Sequence, residues 1–176
     1  MSRPESAFGF NMMSLWFKLR DLLAPLESTL SEVGIESGFH LLDYGCGPGS
    51  YSIAAAELVG QSGKVYAADM NALALRRVRS SALKKGLRNI ETVHTDCETG
   101  LENGTIDVVL LYDTYHDLME PDRVLEELHR VLKAGAILSF SDHHMNDGEI
   151  LDKLASQGFF EFGRRGKKTF TFARTG

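Results

Sequence analysis

Residues Leu41–Gly60 read LLDYGCGPGSYSIAAAELVG. An apolar stretch stops at Asp43-Tyr44, a turn follows with glycines at 45, 47 and 49, and then an Ala-rich segment of helical character begins. Glycine adopts positive φ freely and has no Cβ to hold a ligand off the backbone. Gly45, Gly47 and Gly49, at alternate positions between a strand and a helix, therefore predict a place where backbone closes on a bound molecule. The dinucleotide fingerprint sets its third glycine one residue later, where the helix packs on the strand. Here that position is Ser50, and Pro48 stiffens the turn.

Outward from this turn the chain alternates apolar strand and amphipathic helix, the pattern of an α/β fold with a parallel sheet. Strands are expected at His40–Tyr44, Lys64–Ala68, Ile90–Thr95, Ile106–Tyr112 and Ala136–Ser141. Their cores (VYAA, VVLLY, AILSF) are nearly continuously apolar, as in strands covered on both faces. Helices are expected over Ser50–Val59 and over Asn71–Lys85, the latter with an Asn cap, two terminal lysines and Gly86 as its stop. Another runs from Pro121 to Gly135, and a shorter one covers Asp147–Gln157. Beyond it, Phe160, Phe162, Phe170 and Phe172 alternate around a turn at Arg164–Gly166, which predicts a β-hairpin.

The D-x-G-x-G-x-G form of Asp43–Gly49 resembles motif I of the class I S-adenosylmethionine (SAM) dependent methyltransferases, in particular the small UbiE-like members. The resemblance covers about Phe39 to the end of the chain. It implies a Rossmann-like, seven-stranded, mostly parallel sheet of order 3-2-1-4-5-7-6, with a C-terminal antiparallel hairpin. It also implies SAM as cofactor and S-adenosylhomocysteine as product. Residues 39–176 would form the SAM-binding domain and residues 1–38 a helical arm or lid. That arm carries Phe8, Phe10, Met12, Met13, Trp16 and Phe17, and packing on the sheet edge or on a second copy in a homodimer is the equal alternative.

Ligands of a doubly wound sheet sit beyond the carboxyl ends of the strands where strand order reverses. The residues leaving each strand are distinctive. In the resembled family the turn of Gly45, Gly47 and Gly49 meets the methionine part of SAM, and an acid at Asp43 orients its ammonium. Asp69, at the tip of strand 2, can accept two parallel hydrogen bonds from a ribose diol, with Met70 lying on the adenine. The alternative for Asp69 is a carboxylate favouring the next helix's dipole. Asp96 matches the position that receives the adenine amino group, with the Cys97 amide facing N1; a turn-forming Asp is the alternative. Asp113, Thr114, Tyr115 and His116 leave strand 4 where the reactive methyl belongs. His116 and Tyr115 are the candidate bases, His116 because an unperturbed imidazole titrates near neutrality, and Asp113 orders the cofactor pocket. Asp142, His143 and His144 leave the neighbouring strand 5, and polar pocket residues are favoured there over a metal site, so no metal is assigned.

The net charge of −5 argues against a nucleic acid as main partner, because phosphate contacts dominate such affinity. The cluster Arg164, Arg165, Lys167 and Lys168 reads as a solvated turn, with an acidic partner or RNA as the minority alternative. No apolar run reaches the roughly 18 residues of a membrane span, and the first residues lack a signal-peptide core. Cys46 and Cys97 leave strands separated by an intervening one, too far apart for a disulfide. Together these imply a cytoplasmic protein with free thiols. The expected function is methyl transfer to a small-molecule acceptor, since DTYH stands where methyltransferases of base or glutamine nitrogens carry an NPPY-type motif. An RNA or protein methyltransferase acting with a partner, or a SAM-binding module without turnover, is the alternative.

Overall fold

The computed structural model describes residues 26–176. Strands β1 (His40–Tyr44), β2 (Lys64–Asp69), β3 (Ile90–His94), β4 (Ile106–Tyr112) and β5 (Leu132–Ser141) run parallel. β6 (Phe160–Arg165) and β7 (Phe170–Arg174) form an antiparallel hairpin, with β7 paired to β5. The order is β3-β2-β1-β4-β5-β7-β6, as the resemblance implies. Connecting helices are α1 (Leu26–Leu30), α2 (Ser50–Val59), α3 (Ala72–Lys85), α4 (Pro121–Val131) and α5 (Asp147–Ala155).

The helix ends follow the residues that cap them. The Asn71 side chain accepts from Leu73 N, and Gly86 takes the left-handed conformation that stops α3. Asn146 and Glu149 close a capping box at α5, satisfying two amides that a helix start leaves without partners. α4 departs from expectation: it ends at Val131, and β5 starts at Leu132 instead of Ala136. Leu132 is fully buried and pairs with Ile106 at the start of β4. Burying that side chain in the sheet outweighs one more helical turn, and Gly135 falls inside the irregular part of β5.

Alternate residues of the strands face opposite sides. Leu42, Val109, Leu111 and Phe140 meet Leu125 and Leu128 of α4 on one face. Leu41, Val65, Val108 and Leu110 meet Ala55, Ala56 and Val59 of α2 on the other. Leu30 and Val33 join this second cluster, so the segment just before β1 belongs to the core. The aromatic stretch proposed as a lid lies outside the described residues. Cys46 and Cys97 are buried free thiols. Among the described residues no helix is long and apolar enough to cross a membrane.

The basic hairpin turn has an acidic partner within the chain. The amides of Lys167, Lys168 and Thr169 donate to the Glu32 carboxylate at 3.2, 3.2 and 3.1 Å, and the Thr169 hydroxyl adds a bond of 3.0 Å. Burial works against the Glu32 charge, but these donors outweigh it and hold its pKa below the ordinary value. Gly166 leaves room for this carboxylate, which a Cβ there would displace.

Candidate active site

The strand order reverses between β1 and β4, and the residues leaving those strands line one crevice, among them Asp43, Gly47, Tyr51, Tyr112 and Asp113. The glycine turn is held over the end of β2: Gly45 N and Cys46 N both donate to Ala68 O, at 2.9 and 3.0 Å. Its three glycines divide their work. A Cβ on Gly45 would overlap the Thr114 side chain, and one on Gly49 would meet Val78 Cγ2 at 2.6 Å. These two glycines let the protein close on itself. A Cβ on Gly47 would meet nothing within 4 Å, so this glycine alone leaves open space for a ligand.

Asp69 ties this turn to the next helix. One carboxylate oxygen accepts from Gly47 N at 2.8 Å and the other from Asn71 N at 2.7 Å. Each oxygen has a second lone-pair direction, so a diol can still be accepted. Burial raises the Asp69 pKa against these two bonds. Met70, beside it, is 56% exposed, an unusual position for an apolar side chain and a fit for a flat ring.

Asp43 faces α2, where Ser52 Oγ donates to it at 2.5 Å. The carboxyl is 3% exposed. Burial pushes its pKa up to about 6, with the nearby Asp69 charge adding to the rise and Ser52 opposing it. A carboxyl that holds its proton more tightly in the folded state stabilises the fold most below its unfolded pKa, about 3.9. That contribution is lost as pH rises through about 6. Two pH units correspond to about 3 kcal/mol. Asp43→Asn, which carries no charge to bury, is therefore expected to melt above the unliganded wild type at pH 8 and with it at pH 4. Equal melting temperatures at pH 8 would show that the ionised carboxyl is not strained.

At the end of β3, Asp96 is exposed and free to reach a ligand edge, whereas Cys97 is buried. The Cys97 amide donates to Thr95 Oγ1 at 3.0 Å, and its carbonyl accepts from Tyr44 Oη at 3.4 Å. An adenine N1 contact by this amide would have to replace or share its bond to Thr95.

The loop after β4 rests on the glycine turn, with Thr114 Oγ1 donating to Tyr112 O at 3.0 Å and reaching Gly45 O at 3.4 Å. Asp113 adopts φ 49°, the one non-glycine with positive φ among the described residues. Such strained backbone concentrates at functional sites. Its carboxylate accepts from His143 N at 3.2 Å and contacts His143 Nδ1 at 2.8 Å, bridging the loops of β4 and β5. The Tyr115 side chain is buried against Phe140, with ring centroids 5.7 Å apart, and burial raises its phenol pKa, both of which weigh against it as a base. In the short 3-10 turn Tyr115–Asp117, the inward-facing tyrosine serves the core and His116 remains at the surface of the site.

His116 has a partner that sequence reasoning placed nearby without pairing it. Asp142, whose side chain is fully buried, lies 2.8 and 3.0 Å from His116 Nδ1. Its carboxylate also accepts from His116 N at 3.1 Å and His144 N at 3.0 Å. Burial opposes its charge, yet the His116 ring and these amides outweigh it and lower its pKa. Asp113, Asp142 and His143 lie close together, with ligand-type atoms within 4.8 Å of one another, and these atoms are engaged in the hydrogen bonds just described.

The sequence matches the family described as "Methyltransferase domain" over residues 35–164. Demethylmenaquinone methyltransferase of Geobacillus stearothermophilus is 27% identical over 129 residues, covering 73% of this chain and 55% of that protein. The ubiquinone/menaquinone biosynthesis C-methyltransferase UbiE of Cellvibrio japonicus is 32% identical over 130 residues, covering 71% and 51%. The chain thus spans about half the length of these relatives. A crystal structure of a SAM-dependent methyltransferase from Aquifex aeolicus superposes with a TM-score of 0.75 at 28% identity, covering 88% of this chain and 91% of that one.

Proposed function

Because the chain belongs to the class I SAM-dependent methyltransferases, through their methyltransferase-domain family, we propose that it binds SAM at the β1–β4 crevice and methylates a small-molecule acceptor. One observation carries this reading: Gly47 opens onto free space while its amide is held by the half-buried Asp69 carboxylate. A backbone without a Cβ beside a fixed acid suits a ligand with an apolar stem and a diol. Bound there, SAM would supply a methyl group on a positively charged sulfur. Gly47 would hold the methionine part, Asp43 its ammonium, Asp69 the ribose, and Met70 and Asp96 the adenine.

The chain's own groups then have to order the acceptor and hold its proton. His116 is the group for the proton, Asp113 fixes the β4 loop, and the exposed Met119 just beyond it offers apolar surface to an acceptor. The relatives named for menaquinone and ubiquinone biosynthesis make small quinol-type aromatics the first acceptors to assay.

Isothermal titration calorimetry tests the cofactor. Dissociation constants for SAM and S-adenosylhomocysteine are expected between roughly 1 μM and 1 mM, about −8 to −4 kcal/mol. Binding should tighten as pH rises through about 6, where Asp43 loses its proton and can face an ammonium as a carboxylate. Absence of binding by both compounds at every pH would sink the proposal.

A further inference from the structure

We propose that Asp142 is a positioning residue that makes His116 a one-sided base, and that the methyl acceptor therefore arrives protonated, as a phenol or other hydroxyl. This rests on the reading of the site as a methyltransferase centre.

Four contacts converge on the Asp142 carboxylate: the two distances of 2.8 and 3.0 Å to His116 Nδ1, and the amides of His116 and His144 at 3.1 and 3.0 Å. A carboxylate accepting two amides has no donor to offer, so Nδ1 must carry the hydrogen that lies between ring and acid. In the neutral imidazole, the lone pair then belongs to Nε2. The Asp142 side chain has no exposure while that of His116 has 24%, so the nitrogen facing outward is Nε2. Its nearest ionic neighbour is Asp117 Oδ2 at 3.4 Å, on a side chain 82% exposed.

The ring is also held from the side. His144 packs against His116 with centroids 4.0 Å apart and rings tilted by 48°, and against His143 at 4.0 Å with a tilt of 43°. His143 is in turn fastened to Asp113. The loops of β4 and β5 therefore fix both the tautomer and the tilt of His116, and fixed orientation is what a base needs to act within hydrogen-bond reach.

This arrangement suits a site at which a proton must be moved. The acceptor's O–H bond breaks, its electron pair stays on oxygen as the attacking pair, and the proton forms a bond to Nε2. The imidazolium that results carries one positive charge beside the Asp142 carboxylate, which neutralises it without moving. A thiolate or neutral amine acceptor presents no such proton and would leave the pair idle.

Nitrogen-15 spectra of the histidine rings, recorded on the full chain at about pH 8, test the pairing without any acceptor. The His116 ring, assigned by its loss in His116→Gln, is expected with hydrogen on Nδ1 and none on Nε2. In Asp142→Asn the amide can donate to Nδ1, so the hydrogen is expected to move to Nε2, which leaves no outward lone pair to take an acceptor's proton. Turnover of a hydroxyl acceptor at saturating SAM should fall with it, a loss that a purely structural role would not produce in the folded variant. A wild-type ring with hydrogen on Nε2 overturns the proposal whether or not the variant folds, and so does an unchanged tautomer in a folded Asp142→Asn. Calorimetry with S-adenosylhomocysteine on the same samples keeps the two readings apart. Equal affinity in wild type and variant is expected. A wild type that binds no cofactor yet shows the expected tautomer would remove the methyltransferase reading and leave the pairing without an acceptor to act on.

Discussion

Asp69→Ala is expected to weaken SAM binding tenfold to a hundredfold while leaving the sheet intact. Asp69 is the last residue of β2, so its backbone pairing does not depend on its side chain. The loss has two sources. A hydrogen bond to a charged acceptor contributes about 1.5–3 kcal/mol, and the ribose diol would lose that acceptor. The amides of Gly47 and Asn71 would lose theirs as well, freeing the one glycine that opens onto the crevice and unfastening the start of α3. Asp69→Asn separates the sources, since its single carbonyl oxygen can keep one amide or serve the diol but cannot replace both carboxylate oxygens. Its affinity should fall between wild type and alanine. Calorimetry with far-ultraviolet circular dichroism as a folding control decides the matter. An unchanged dissociation constant in folded Asp69→Ala would move the ribose contact to another residue.

The strands were legible because both-face burial leaves continuous apolar runs, and the hairpin because Phe160, Phe162, Phe170 and Phe172 repeat every second residue. The sheet order came from the resemblance and not from any local pattern. The start of β5 was hidden, because Leu132 fits a helical stripe as well as a strand, and only its pairing with Ile106 decides between them. The glycine turn was visible as a motif, but the separate duties of its glycines were not. Thr114 and Val78, which exclude a Cβ at Gly45 and Gly49, lie far along the chain. Tyr115 and His116 are adjacent in sequence, and nothing local says which of them turns inward. The strand-end rule did gather Asp142 beside His116, yet their hydrogen bond depends on loop geometry. Glu32 was missed for the same reason: its partners lie 135 to 137 residues away.

His116→Ala is expected to lower turnover by about 10² to 10⁴ with any acceptor that reaches the enzyme protonated, while changing SAM affinity little. The basis is geometric. Nδ1 is engaged with a buried carboxylate, so alanine would remove the only nitrogen left to receive a proton and would strand Asp142 without its ring donor. Stability should therefore fall together with kcat. Activity must be read on the folded fraction, by following S-adenosylhomocysteine release at saturating SAM. Asp142→Asn should share the kcat defect, because its Nε2 carries the hydrogen and cannot accept another. Comparing the two variants distinguishes the chemical outcomes. If both lose kcat and keep SAM affinity, the pair moves the acceptor's proton. If His116→Ala keeps most of its activity, the acceptor needs no base and is a thiolate or a neutral amine. If SAM affinity collapses while turnover at saturating cofactor persists, His116 belongs to the cofactor pocket and the base lies elsewhere. Tyr115 is the weaker replacement, since its phenol is buried against Phe140 and burial raises its pKa.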